Sequence, residues 1–416
     1  MAKLLIEGGR PLEGDMEVHG AKNAVLPILA ATVLNGGKSV IYNCPDLKDV
    51  DSSIDILRYL GCHVSKHDDV LTIDSASITY GEIPEKLMHE MRSSVIFLGA
   101  TVSRLGRVVT SMPGGCELGP RPIDLHLKAF RQLGINIEED HGYITCQADR
   151  IVGANIHLDF PSVGATENIM LAATLAQGTT IITNAAKEPE IADLQKCLNA
   201  MGARVSGAGT SIVRIDGVKK LHDMEHVVMP DRIVAATYLA CSAIAGGMVE
   251  LKHVEPSHLE AVFSVMRQCG SKLYIRDDSI VHIAPERLMA VDTIRTQPYP
   301  GFPTDAQSPL MAALTIADGT SIFIENIFES RFKHVIELCR MGADITVDGR
   351  MAVVRGVSKL SGAKVSAMDL RGGAALVVAA LAAEGTTQID NIYHIDRGYA
   401  NLTEVLSGVG ARIKRE

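Results

Sequence analysis

Six times along the chain, an alanine-rich run that is apolar on every side reaches a glycine-containing pair and gives way to a segment rich in β-branched residues. The runs are "LAATVLNGGKSVIYN", "LGATVSRLGRVVTSM", "LAATLAQGTTIITN", "YLACSAIAGGMVELKH", "MAALTIADGTSIFIEN" and "LVVAALAAEGTTQIDN". Their marker glycines are Gly37, Gly106, Gly178, Gly247, Gly319 and Gly385. A helix apolar all round must be buried all round, and β-branched residues favour strands. A second, amphipathic pattern follows each run and also stops at a glycine: Gly61, Gly134, Gly202, Gly270, Gly342 and Gly410. Glycine is the expected residue just past a helix, because the left-handed conformation costs it little. Each copy therefore reads as helix, strand, helix, strand, with more strand between copies. A solenoid needs polar terminal caps, yet these copies look alike to the last. The pattern predicts an α/β protein of closed domains, three copies each, with sheets covering internal helices.

Composition narrows the function. The chain has 416 residues, of which 47% are hydrophobic and 21% charged, enough for two or more soluble domains. Aromatics are 4%, tryptophan is absent and the net charge is −9. Base-stacking platforms and a broad nucleic-acid footprint are thus disfavoured. The opening residues lack the apolar core of a secretory signal. The longest apolar stretch, 374–383, is too short to span a bilayer. No membrane insertion is expected. Eight cysteines are scattered without a C-x-x-C pair, which suggests a reduced, cytoplasmic protein. His63 and His67 lack a third ligand, so no metal site is expected; no P-loop, HExxH or GxGxxG pattern occurs.

The repeat gives polar residues a shared place. Lys22, Arg92, Ser162, Asp231 with Arg232, Asp305, and Asp369 with Arg371 stand where the apolar helices begin. Asp49, Glu117 to Arg121, Glu188, Glu190, Glu255, Arg331 and Arg397 stand at the turns before the second helices. If the copies share one geometry, these residues gather at common domain ends. Helix N-termini attract anions, so a cationic cleft for phosphate and carboxylate groups is expected. One loop adds a nucleophile. "SMPGGCELGPRPIDLH" (111–126) is dense in glycine and proline and carries Cys116 close to Arg121. A cation beside an exposed thiol favours the reactive thiolate.

"GAKNAVLPILAA" (20–31), "PGGCELGPRPIDLH" (113–126), "FPTDAQSP" (302–309) and "DLRGGAALVVAAL" (369–381), with the six-copy organisation, resemble the UDP-N-acetylglucosamine 1-carboxyvinyltransferase family over essentially the whole chain. The resemblance implies two inside-out α/β barrels, each of three βαβαββ repeats. One domain would cover 22–229 and carry the Cys116 loop. The other would combine 230–416 with an N-terminal strand in 1–21, the active site lying in the cleft between them. It also implies transfer of the enolpyruvyl group of phosphoenolpyruvate to the 3′-hydroxyl of UDP-N-acetylglucosamine through a tetrahedral adduct, with no cofactor. This is the first committed step of peptidoglycan synthesis.

By the same resemblance, Lys22 and Asn23 contact phosphoenolpyruvate and the sugar. Arg121 and Arg397 clamp phosphoenolpyruvate, with Arg371 as a further member of the cluster. Arg92 lines the nucleotide-sugar site. Arg121, Pro122, Ile123, Asp124 and Leu125 hold the uridine, and Ser162, Val163, Gly164 and Ile327 complete that pocket. Asp305 is the general base toward the sugar hydroxyl, its simpler reading being a helix N-cap. Cys116 acts as proton donor or in product release, and fosfomycin is the expected covalent inhibitor at its thiol. Many relatives carry a lysine where this chain has Phe160 and Pro161, so a diphosphate contact falls to Arg92 or a backbone N–H. Two alternatives stand beside this reading. The shikimate 3-phosphate enolpyruvyl transferase is disfavoured by the Cys116 loop and the "SVGAT" segment. A non-catalytic UDP-sugar-binding regulatory paralogue is disfavoured by the intact set Lys22, Cys116, Asp305 and Arg397. Nothing in the sequence fixes the oligomeric state.

Overall fold

Each alanine-rich run folds as a helix with few exposed positions. In Lys22–Ala31 every residue but Asn23 is buried, and in Leu370–Ala382 every residue but the two ends. The others are Phe97–Leu105, Val163–Ala173, Arg232–Ala245 and Thr304–Ala313. The computed structural model describes residues 2–79, 81–90, 92–111 and 123–416. Cys116, Arg121 and Pro122, together with the side chain of Arg92, lie outside the described residues.

Among the described residues, 2–19 and 230–416 form one compact unit, and 20–111 with 123–229 form a second. In the first unit, Arg232–Ala245, Thr304–Ala313 and Leu370–Ala382 pack on one another. In the second, Lys22–Ala31, Phe97–Leu105 and Val163–Ala173 do the same. Their small side chains allow the close approach, which a wholly apolar surface requires somewhere.

Among the described residues, six four-stranded sheets cover these helices, three per unit, and all share one spatial pattern of parallel and antiparallel neighbours. Thr293–Arg295 runs parallel to Thr320–Ile324, a pairing that needs a crossover, and the helix Thr304–Ala313 supplies it. Thr320–Ile324 then pairs antiparallel with Met351–Arg355, and that strand with Asp344–Asp348. Alternation decides which face turns inward. Ser321 and Phe323 are buried while Ile322 and Ile324 are half-buried. The βαβαββ repeat and the barrel architecture expected from the sequence are thus present.

Each unit closes on itself through strands distant in sequence. Met224–Val227 lies parallel to Lys38–Tyr42, with Met224 opposite Ser39. Leu12–Glu17 lies parallel to Gly247–Lys252. Leu4–Glu7 sits between Thr386–Asp390 and Arg412–Arg415. The N-terminal segment therefore gives two strands to two different sheets, where the sequence suggested one. Closure pairs edge groups that an open array would leave bare.

The glycine markers separate into two kinds. All six glycines that end the second helices have φ between 82° and 105°, as a left-handed helix terminus requires. Among the first set Gly37 departs: Gly36 takes the positive φ of 62°. Lys38 N–H then donates to Asp223 Oδ1 at 2.8 Å. In the last three repeats a short turn precedes the second helix, the first case being Pro256–His258 before Glu260–Gln268. A 3-10 turn Arg331–His334 precedes Val335–Arg340, and Tyr393–Asp396 precedes Leu402–Gly408. Those turns set Arg331 and Arg397 ahead of the second helices.

Among the described residues no helix is long and apolar enough to cross a membrane, and no three His, Cys, Asp or Glu side chains are grouped to hold a metal ion. Six of the seven described cysteines are buried and Cys339 is exposed. Burial pushes the thiols of Cys44, Cys62 and Cys146 up to about 12, so these are inert packing residues.

His282 carries a testable consequence of burial. Its ring is fully buried between the hydroxyls of Ser242 and Ser271, at 2.8 and 2.9 Å. Burial lowers its pKa from 6.5 to about 4. Above pH 6.5 the ring is neutral folded or unfolded. Below it the unfolded chain takes up a proton that the folded chain refuses, so stability falls until about pH 4. The loss is on the order of 3 kcal/mol. Urea unfolding should therefore show His282→Gln losing less stability than the wild type between pH 7 and pH 4.5. Parallel losses would count against this account.

Candidate active site

Asp305 is the centre of the polar cluster in the unit formed by 2–19 and 230–416. The N-cap of its helix is Pro303 and Asp305 lies in the first turn. Its carboxylate is held by two arginines. Arg331 Nη2 donates to Oδ1 at 2.8 Å and Arg371 Nη2 to Oδ2 at 2.9 Å. Arg331 also donates from Nε and Nη2 to the Thr304 carbonyl, at 3.3 and 2.9 Å. Both arginine side chains are 2% exposed, so the pairs are held by charge-assisted bonds in a poorly hydrated place.

Arg371 is more than a partner for Asp305. Its backbone N–H and that of Gly372 donate to Asp369 Oδ1, at 3.0 and 2.9 Å, which caps the helix. Its guanidinium carbon lies 5.4 Å from the Tyr399 ring centroid. The Tyr399 hydroxyl is 2.9 Å from Thr237 Oγ1. Nε and Nη1 find no acceptor in hydrogen-bond geometry among the described residues. Burial works against the charge, but Asp305, then Tyr399 and Asp231, outweigh it and hold the pKa above its ordinary value. A buried, fully charged guanidinium with idle donors is suited to receive an anion. His334 nearby is pushed down to about 4, chiefly by burial and further by Arg331, against the pull of Asp369. It is neutral near pH 7.

Glu325 was not singled out by sequence, yet it positions this cluster. It is 1% exposed. Oε1 accepts from Thr296 Oγ1 at 3.0 Å and from the N–H groups of Ile327 and Phe328 at 2.8 and 3.0 Å. Oε2 accepts from Thr304 Oγ1 at 3.0 Å. One carboxylate thereby fixes the half-buried Ile327 turn and the residue before Asp305. Asn326 Nδ2 donates to the Thr296 carbonyl at 3.1 Å, while Asn43, Asn184 and Asn391 likewise reach Val228, Leu158 and Ser366. The recurrent Asn that ends four of the quoted runs was the available signal for this clip. Arg397, half-buried, follows Tyr393–Asp396, whose Asp396 takes two bonds from Arg415 at 2.8 and 2.7 Å.

The unit of residues 20–229 holds its own polar groups. Lys22 begins its helix but is not an exposed lysine: it is 8% exposed, and Nζ lies 2.7 Å from Asp49 Oδ2. Asn23 beside it is half-buried. Asp124 is exposed in the first turn of Asp124–Gln132, with Leu125 half-buried and Ile123 buried. Ser162 is the N-cap of Val163–Ala173, and its side chain makes no capping bond. Ser162, Val163 and Gly164 are half-buried, and Phe160 is exposed. The structure thus joins Asp305, Arg331 and Arg371 directly, and Lys22 with Asp49. Arg331 and Asp49 had been assigned only to the general polar set.

Glu167 in the same unit is buried, with Oε1 lacking a partner among the described residues. Burial, then the charges of Glu190 and Glu188, raise its pKa well above 4.5. Stability contributed relative to the unfolded chain is full below pH 4.5 and is lost as pH rises toward the folded value. Glu167→Gln should therefore raise the melting temperature at pH 7.5 and leave it unchanged at pH 4. An equal shift at both pH values would refute the assignment.

A family model described as EPSP synthase (3-phosphoshikimate 1-carboxyvinyltransferase) matches residues 6–406. The UDP-N-acetylglucosamine 1-carboxyvinyltransferase 2 of Caldanaerobacter subterraneus subsp. tengcongensis is 56% identical over 415 residues, covering 100% of both chains. The UDP-N-acetylglucosamine 1-carboxyvinyltransferase 1 of Symbiobacterium thermophilum is 51% identical over 419 residues, covering 99% of this chain and 95% of its own. Among solved structures, the enolpyruvyl transferase NikO from Streptomyces tendae matches with a TM-score of 0.90 at 25% identity, covering 100% of this chain and 98% of that one. EPSP synthase from Acinetobacter baumannii, at 19% identity and a TM-score of 0.76, covers 100% and 99% and shares the fold.

Proposed function

The chain belongs to the UDP-N-acetylglucosamine 1-carboxyvinyltransferase family, within the wider EPSP synthase family, and from that premise we propose that it transfers the enolpyruvyl group of phosphoenolpyruvate to the 3′-hydroxyl of UDP-N-acetylglucosamine. Phosphate leaves, and the product enters peptidoglycan synthesis. The full-length identity of 56% to a relative bearing that activity is the observation that carries the substrate assignment. It also favours UDP-N-acetylglucosamine over shikimate 3-phosphate as acceptor. We assign the activity to the cytoplasm, where both substrates are made.

The chemistry sets three demands. A proton is added to the methylene carbon of phosphoenolpyruvate as the sugar hydroxyl attacks C2 and loses its own proton. The tetrahedral adduct then loses a proton from the new methyl group while the C2–O bond to phosphate breaks, restoring the double bond. Asp305 receives the hydroxyl proton in this scheme. Its pairing with Arg331 and Arg371 supports that role, because the two guanidinium groups hold the carboxylate in one orientation until anionic substrate competes for them. Arg371 and Arg397 meet the phosphate and carboxylate of phosphoenolpyruvate, and Arg121 joins them. Planar forks suit both groups. Lys22 offsets charge that builds as phosphate departs, and Asn23 orients the sugar. Arg92, with residues 121–125, 162–164 and Ile327, holds the nucleotide. Cys116 serves the proton transfer or product release, and its thiolate opens the epoxide of fosfomycin by forming a C–S bond.

The test is phosphate release from phosphoenolpyruvate. Release should require UDP-N-acetylglucosamine, and shikimate 3-phosphate should not replace it. Fosfomycin should abolish release by the wild type, whereas Cys116→Ser should lose the covalent adduct seen by mass spectrometry. No acceptor-dependent release from folded protein would leave the binding-paralogue reading in its place. Release driven by shikimate 3-phosphate would move the assignment to the sister activity.

A further inference from the structure

Asn168, on the buried helix Val163–Ala173, is 0% exposed and bonded on every side. Its Oδ1 accepts the Gly99 N–H at 2.7 Å. Its Nδ2 donates to the Val95 carbonyl at 2.8 Å and meets His126 Nδ1 at 2.9 Å. Two backbone groups settle which way the amide points, since an N–H can face only the oxygen and a carbonyl only the nitrogen. The amide has two hydrogens. One goes to Val95, and the other faces His126 Nδ1. That ring nitrogen must therefore be the acceptor, and the imidazole proton must sit on Nε2. The fit is tight: a Cβ at Gly99 would lie 2.5 Å from Asn168 Oδ1.

His126 is 7% exposed and burial lowers its pKa to about 4, so the ring is neutral near pH 7. Its Nε2–H has no partner among the described residues. A Cβ built on Gly164 would stand 3.3 Å from Cε1 and 3.5 Å from Nε2. The donor thus lies beside the first turn of Val163–Ala173, where Ser162 makes no side-chain cap and the leading N–H groups are unspent. Two kinds of donor meet with no acceptor supplied by either, and a guest there must bring acceptor oxygens.

We propose that Asn168 is a positioning residue for the nucleotide-sugar. It fixes His126 as the Nε2–H tautomer and aims that donor, beside Gly164, at an acceptor oxygen of UDP-N-acetylglucosamine. The inference rests on the functional reading above and extends it to two residues that reading does not use. It also supplies a neutral donor near the segment in which Phe160 and Pro161 offer no cation.

The test combines a spectroscopic signature with binding. Two-bond ¹H–¹⁵N spectra of the free wild type should show His126 protonated on Nε2 and bare on Nδ1. Titration calorimetry should show Asn168→Ala and His126→Phe each weakening UDP-N-acetylglucosamine by about tenfold, as expected for one lost buried hydrogen bond. The double variant should lose little more than either single one, because both act through the same donor. The KM for phosphoenolpyruvate and kcat at saturating acceptor should stay within about threefold, a split that general loosening of the fold does not produce. If Asn168→Ala does not fold, His126→Phe alone decides, since its ring preserves packing while removing the donor. An Nδ1–H tautomer in the wild type, or wild-type affinity in folded His126→Phe, overturns the inference while leaving the functional reading intact. A wild type that does not bind UDP-N-acetylglucosamine overturns that reading itself.

Discussion

The burial of a helix that is apolar on every side is the constraint on which the rest depends. Such a helix has no face to offer water. Three of them can cover one another only partly, and sheets must cover what remains. The βαβ crossover supplies the cover in four of the repeats, where Phe97–Leu105, Val163–Ala173, Thr304–Ala313 and Leu370–Ala382 each link two parallel strands of one sheet. The device works only if the set closes. Met224–Val227 completes the first sheet of one unit, and Leu4–Glu7 and Leu12–Glu17 complete two sheets of the other. Without these strands Lys38–Tyr42 and Gly247–Lys252 would each present a bare edge.

Chemistry follows from the same constraint. Polar side chains at the starts of buried helices sit close to a dry interior and must be paired or capped. Asp231 and Asp369 satisfy helix N–H groups directly. Lys22 finds Asp49, and Arg331 and Arg371 share Asp305. The pairing of Asp305 is structural and functional at once. Each guanidinium is too buried to remain without a counter-charge, and the carboxylate between them is held in one orientation. Arg371 retains idle nitrogen donors even so. A site of this kind balances its own charges and still has donors to offer an anion.

Much of this was legible in the sequence because the repeat averages over local ambiguity. A single run such as "LAATLAQGTTIITN" could be any buried helix followed by a strand. Six in register, each with its terminal glycine, define the unit and its closed form. The repeat also located Asp305, Lys22 and Arg371 at helix starts. What it could not supply was the pairing. Arg331 and Asp305 are 26 residues apart and Arg371 and Asp305 are 66 apart, and no local pattern joins them. Asp305 read equally well as an N-cap, a role that Pro303 holds by backbone alone. Glu325 and Asn168 escaped notice because a buried polar residue in an apolar run looks the same whether it organises a network or only satisfies one. The two N-terminal strands were read as one because their partners lie more than 200 residues away.

The central claim is that the Asp305 carboxylate, held by Arg331 and Arg371, takes part in the chemical step rather than only in holding the fold. The most direct measurement is the single-turnover rate of phosphate release by Asp305→Asn at saturating phosphoenolpyruvate and UDP-N-acetylglucosamine. The substitution keeps the size and polarity of the side chain and removes its basicity. The account predicts a fall of about 10²–10⁴, the range for loss of a positioned acid–base group, in protein that still binds UDP-N-acetylglucosamine. A rate within about threefold of the wild type, well short of that range, would contradict it and reduce Asp305 to a structural counter-ion.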